Sequence, residues 1–172
     1  YGDRYECKEM TSNDKEEIVT INGFEKLEER EYLREIAYHE LKERNCSFMN
    51  LIHPFSYVDP SAVLGEGNIL GAGSSIACDV KMGDCNILNG TVIIGHDTVV
   101  GNFNFCGPFV QLLGYTAIGD RNILAVSSIM LPKTSIGNKN SISPASVVYT
   151  RFRNNCRIHG NPALKIGGYK NE

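Results

Sequence analysis

The sequence contains no apolar run approaching the ~18 residues that a membrane-spanning helix needs, and no leader pattern at its start. It also lacks a CxxC pair. The six cysteines, at 7, 46, 78, 85, 106 and 156, are scattered singly, which fits neither a zinc framework nor a dense disulfide scaffold. Such spacing is expected of a reduced, cytoplasmic protein. There is no basic excess: a formal net charge of −3 with 22% charged residues offers nucleic acid no electrostatic footprint. Histidine is scarce, with four in 172 residues, so each can be weighed singly. A chain of this length suits one domain of ordinary size with a small appendage.

What is present is a repeat. From Ile52 to Val148 every sixth residue is apolar, seventeen in all, and no insertion breaks the register. The next residue is usually small, as in Gly65, Gly71, Ala77, Gly83, Gly95 and Gly101. A period of six fits neither the 3.6 of a helix nor the alternation of an ordinary strand. It indicates a parallel β-helix with one short strand and one corner per repeat. A longer period supports this, because Asn68, Asn86, Asn104, Asn122 and Asn140 recur every eighteen residues. A triangular coil of eighteen residues stacks them into a ladder, about 4.8 Å per coil. These asparagines are expected at corners, in left-handed conformation, bonding to neighbouring turns.

The organisation that follows is mainly β, with three parts. Residues 1–51 form a small α/β portion: EEIVTING (16–23) reads as a strand and turn, and residues 29–44 as a helix. Leu33, Ile36, Ala37 and Leu41 are expected on the helix's buried face. CSFMNLIHP then resumes extended structure, completing a minimal βαβ unit. Residues 52–150 form the β-helix. In residues 151–172, RFRNNCRIHGNPALKIGG is expected to be polar and irregular, packing on or beyond the last coil.

His39 falls on the helix, where a solvated side chain is the expectation. His53 precedes Pro54 and suits a turn, and His159 lies in the tail. His96 differs from all three. It follows Gly95 at a corner, where a side chain can project outward, and its stacking positions one coil away are Cys78 and Gly114. Asp97 can accept a hydrogen bond from the ring, fix one tautomer and leave the other nitrogen as a base.

The six-residue series, the GHD of residues 95–97 and the HGNPA that follows the coils resemble the hexapeptide-repeat acyltransferases. NLIHPFSYVDPSAVLGEG and the helix before it are similar, more specifically, to the NeuD/PglD type of bacterial sugar acetyltransferase, over residues 18 to 168. The resemblance implies a left-handed β-helix that trimerises, with acetyl-CoA in the groove between subunits. It also implies a Rossmann-like N-terminal domain for a nucleotide-linked sugar, of which only the last βαβ portion is recognisable here. His96 takes the place of the family's general base and Asp97 that of its orienting acid. Phe105 stands where many members carry a second histidine near the thioester, so carbonyl polarisation would rest on a backbone N–H at Gly114. Phe105, Gly114, Val126 and Pro144 are expected on the acetyl-CoA side, and Asn89 and Asn22 on the acceptor side.

The implied activity is acetyl transfer to an amino or hydroxyl group of a bacterial sugar, most simply a nucleotide-linked amino sugar for surface polysaccharide. The implied partners are acetyl-CoA, the small-molecule acceptor and two further copies of the chain, without metal, membrane or nucleic acid. A γ-class carbonic anhydrase shares the β-helix but needs three metal-binding histidines, and only His96 lies within the complete coils. Serine acetyltransferase shares the acyl chemistry, but its large helical domain has no counterpart here. The non-enzymatic alternative is a structural or inactive β-helix homologue.

Overall fold

A computed structural model describes residues 27–168. The chain divides into two compact units, residues 1–49 and residues 50–172. In the first, the helix Leu27–Glu43 ends at Asn45, which takes a left-handed φ of 61°. The Asn45 N–H donates to the Lys42 carbonyl at 2.9 Å and the Cys46 N–H to that of Leu41 at 3.1 Å. This paired closure satisfies two carbonyls that the helix end would otherwise orphan.

The helix buries a different stripe from the expected one. Leu41 is buried, but Leu33 and Ile36 are exposed and Tyr38 is buried instead. The reason is the chain reversal at Asn45, which brings the Phe48 ring onto Tyr38 at a centroid separation of 4.8 Å. Burial therefore follows that aromatic pair. The expected strand of residues 16–23 lies outside the described residues.

The second unit is a parallel β-solenoid. Leu51–Ile52, Tyr57–Val58 and Val63–Leu64 are the two-residue strands of its first coil, one on each face. Each pairs in parallel with the strand eighteen residues on: Leu51 with Ile69, Tyr57 with Ser75, and Val63 with Lys81. Repetition produces three sheets of eight, six and five strands. The second residue of a strand points inward. On the first face Leu70, Leu88, Cys106, Leu124 and Ile142 are essentially inaccessible to water. Each large apolar side chain so buried contributes about 1.5–3 kcal/mol. Burial pushes the Cys106 thiol up to about 12, so it serves as a small apolar filler rather than a nucleophile. Cys46, Cys78, Cys106 and Cys156 are free thiols.

Left-handed backbone recurs at every sixth residue from Gly67 to Ala145, but not at the asparagines. The residue before each asparagine carries it, as at Cys85, Phe103, Arg121 and Lys139. The asparagines themselves turn inward and are buried. Their bonding between coils is as expected. Asn104 Oδ1 accepts from the backbone N–H of Asn122 at 2.9 Å and from its Nδ2 at 3.0 Å. Asn104 in turn donates both groups to Asn86 Oδ1.

A second ladder runs beside the first. Asp84, Asn102, Asp120, Asn138 and Asn154 each offer Oδ1 to a backbone N–H one coil below, at 2.8–2.9 Å. This explains the glycine column. A Cβ at Gly65, Gly83, Gly101, Gly119 or Gly137 would collide with that Oδ1.

The tail is regular rather than irregular. Cys156–Gly160 pairs in parallel with Ser141–Ile142, and Ala163–Gly168 returns antiparallel to it. Cys156, Ile158 and Ala163 are buried, so the hairpin continues the first face with the same inward alternation. Among the described residues, no helix is long and apolar enough to cross a membrane.

The first ladder can be tested directly. Asn104→Ala leaves the backbone N–H and the Nδ2 of Asn122 without their shared acceptor inside the coil. It should lower the unfolding free energy by roughly 1–3 kcal/mol without changing the fold, as read by denaturant titration and circular dichroism.

Candidate active site

The corner between the second and third faces carries the column Cys78, His96 and Gly114. Gly95 begins this corner because the coil above leaves no room for a side chain. A Cβ there would lie 2.6 Å from the Gly114 nitrogen. The next two residues are then set by backbone. Asp97 takes the left-handed conformation, with φ 55°, and its N–H donates to the Cys78 carbonyl at 3.1 Å. That bend swings the carboxylate back toward its neighbour. Asp97 Oδ2 sits 2.9 Å from His96 Nδ1.

Both side chains are substantially solvent-accessible, at 51% and 40%, so the pair is worth little to stability, about 0–1 kcal/mol. Its effect is orientation. Accepting the Nδ1 proton selects the tautomer in which Nε2 holds a free lone pair. The ring leans toward the next coil, over Gly114. A Cβ at Gly114 would fall 2.6 Å from Nε2 and 2.7 Å from Cε1. Only a glycine admits this pose. The Gly114 N–H donates to no backbone carbonyl among the described residues, so a hydrogen-bond donor stands beside a base.

Tyr115 completes the niche and was not singled out from the sequence. Its N–H donates to the His96 carbonyl at 2.9 Å, and its ring meets the imidazole at a centroid separation of 5.1 Å and an interplanar angle of 88°. The sequence does hold the signal. Residue 115 lies eighteen after Asp97, at the same corner position one coil up.

The other expected site residues lie elsewhere on the chain. Asn89, Val126 and Pro144 occupy the corner between the first and second faces, with Val126 and Pro144 exposed. The Asn89 N–H donates to the Cys106 carbonyl at 2.9 Å, and its own carbonyl accepts from Ser74 Oγ at 2.9 Å. Phe105 lies half-buried on the outside of the first face, between Ile87 and Ile123. It follows His96 by nine residues, half a coil, and so lies on the opposite side of the prism. Asn22 is outside the described residues.

The remaining histidines take structural positions. His53 Nδ1 accepts the Phe55 N–H at 3.1 Å in a turn. His39 is exposed on the helix, 3.7 Å from Glu35, and His159 is exposed on the final hairpin. Among the described residues, no three of His, Cys, Asp or Glu cluster as a metal site would require.

Solved structures of sugar acetyltransferases share this hexapeptide solenoid. PerB from Caulobacter crescentus, in complex with CoA and GDP-perosamine, is 31% identical over 80% of this chain and 66% of its own, with a TM-score of 0.78. A histidine-to-asparagine variant of perosamine N-acetyltransferase from Caulobacter crescentus, with the same two ligands, is 29% identical over 80% of this chain and 65% of its own, with a TM-score of 0.76. The acetyltransferase domain of PglB from Neisseria gonorrhoeae, in complex with acetyl coenzyme A, shares the fold at 23% identity. Its alignment covers 79% of this chain and 66% of that one, with a TM-score of 0.76. This chain thus spans just under two thirds of the length of these neighbours. Neither a scan of protein-family models nor a search of curated proteins produced a match.

The niche yields a clean contrast between two adjacent glycine positions. The three atoms nearest an alanine Cβ at Gly114 all belong to the His96 ring, which can swing away, so the melting temperature of Gly114→Ala should stay near the parent's while the imidazole NMR resonances move. Gly95→Ala meets backbone of the next coil and should be strongly destabilised.

Proposed function

We propose that the protein is an acetyl-CoA-dependent acetyltransferase acting on an amino or hydroxyl group of a sugar, with a nucleotide-linked amino sugar as the preferred acceptor. The observation that carries this reading is the free Nε2 of His96, with its Nδ1 held by Asp97 and the Gly114 N–H beside it. The neighbour crystallised with CoA and GDP-perosamine supports the same chemistry.

His96 Nε2 removes a proton from the acceptor nitrogen or oxygen as that atom forms its bond to the acetyl carbonyl carbon. Asp97 steadies the imidazolium that results. The Gly114 N–H faces the oxygen on which negative charge develops. As the carbon–sulfur bond breaks, the imidazolium returns its proton to the departing thiolate. The products are the acetylated sugar and CoA thiol, and His96 is neutral again.

In this reading Phe105 packs against the pantetheine arm, with Val126 and Pro144 on the same side. Asn89 contacts the acceptor. These residues lie half a coil or a different corner away from His96, so a neighbouring copy has to bring them to it. The outward side chains of the first face, Leu51, Ile69, Ile87, Phe105 and Ile123, form an apolar stripe suited to that contact. A homotrimer is therefore part of the proposal. A stable monomer near 19 kDa at micromolar concentration, by sedimentation, would remove it.

The catalytic assignment is tested by CoA thiol release and product mass with nucleotide amino sugars and acetyl-CoA. His96→Ala should lower kcat by about 10²–10⁴-fold with little change in acetyl-CoA affinity. Asp97→Asn should cost less, since the imidazole stays and loses only its anionic partner. A folded His96→Ala protein as fast as the parent would sink the assignment. A parent that acetylates no sugar would favour the non-enzymatic β-helix.

A further inference from the structure

His96 projects from a corner into solvent, and one hydrogen bond to Asp97 does not by itself hold a ring. A tether at Nδ1 fixes one atom, and the imidazole can still rotate about its side-chain bonds. Two further constraints act on it. Above it lies Gly114, where the missing Cβ leaves room for the ring face. Beside it stands Tyr115, meeting the imidazole at 5.1 Å and 88°, the edge-to-face arrangement that aromatic quadrupoles favour.

The Tyr115 ring is itself well placed to act as a wall. Its backbone is held in the left-handed region at φ 60°, and its N–H is bonded to the His96 carbonyl, so the two residues are coupled through main chain as well as through rings. Left-handed backbone disfavours a bulky side chain. The same corner position holds Asp79, Asp97 and Lys133 in adjacent coils, none of them aromatic. An aromatic ring therefore occurs in this stretch of the column only directly above Asp97, where it meets the imidazole.

We infer that Tyr115 is a positioning residue for His96: its ring fixes the imidazole plane so that Nε2 stays beside the Gly114 N–H. This rests on the acetyltransferase reading, in which the distance from Nε2 to the acceptor must be held through the proton transfer. The ring acts through its face and edge, and the phenol oxygen takes no part. Phenylalanine should therefore serve as well.

The test uses four variants of the protein: Tyr115→Asn, Tyr115→Phe, His96→Ala and the double variant of His96→Ala with Tyr115→Asn. Tyr115→Asn removes the ring but suits left-handed backbone, so the corner keeps its shape, as circular dichroism and the melting temperature check. It should lower kcat about 2–10-fold, the range that one edge-to-face aromatic pair accounts for, with both KM values within about twofold of the parent's. Tyr115→Phe should restore the parental kcat. In a His96→Ala background, Tyr115→Asn should add nothing. In parallel, the His96 ring protons are followed by NMR, and losing the Tyr115 ring current should shift them. A full additional loss in the His96→Ala background would overturn the inference, because Tyr115 would then act independently of the imidazole. Unchanged ring-proton shifts in Tyr115→Asn would also overturn it. If His96→Ala alone were as fast as the parent, the acetyltransferase role of His96 would fall, while the NMR arm would still report whether the ring holds the imidazole.

Discussion

Within the regular coils, a backbone hydrogen bond from the first residue of a strand to the carbonyl seventeen residues later holds one coil against the next. Ile69 reaches Asn86, Ile93 reaches Val110 and Ala117 reaches Thr134, at 2.9–3.1 Å, one on each face. Because this interval is constant through Val148, each residue of these coils sits over its counterpart eighteen positions earlier, and only the final turn closes at sixteen, Ser141 pairing with Arg157. The inward apolar column, both side-chain ladders, the left-handed corners and the His96–Gly114 stack all depend on that register. None of them requires a separate explanation. Packing then holds the register, since a slip of one residue would turn Leu88 or Leu124 outward and bring a polar neighbour in.

Much of this could be read from residue spacing, because a solenoid turns sequence intervals into spatial ones. The six-residue apolar series located every strand from Tyr57–Val58 to Val147–Val148, and the corner place of His96 followed from it. What spacing could not convey was backbone sign. Asn104 and Phe103 are adjacent, and residue preference alone favours asparagine for left-handed backbone. Bonding between coils decides the matter: the asparagine is needed inside, where its amide serves the next coil, and Phe103 takes the strained φ of 56°. The final hairpin was hidden for another reason. Its inward residues, Cys156 and Ile158, alternate with arginine and histidine over a segment too short to look periodic. Tyr115 was passed over because an exposed aromatic is ordinary until its neighbour one coil below is known.

The candidate site divides into two parts with different physical origins. His96, Asp97, Gly114 and Tyr115 are assembled within a single chain, from consecutive residues and one stacking interval. Each is positioned by short-range geometry that a monomer already contains. Phe105, Asn89, Val126 and Pro144 sit at half-coil or one-third-coil offsets, and the prism itself keeps them from His96. A triangular solenoid cannot enclose a substrate, because its interior is filled by Leu, Ile, Val and Met. Any cleft for a substrate therefore lies on the outside of the coils. The half-buried outer face around Phe105 fits such a use.

The fixed register also bears on how a chain of this kind can change length over evolutionary time. Adding or losing one whole coil preserves every column and merely makes the prism taller or shorter. A change of six residues keeps the inward pattern but carries everything beyond it one face around, so His96 would no longer find Gly114 above it. A change of one residue inverts inside and outside for all that follows. Length variation in such a lineage is thus quantised, and sites built across adjacent coils tolerate the smallest number of those steps.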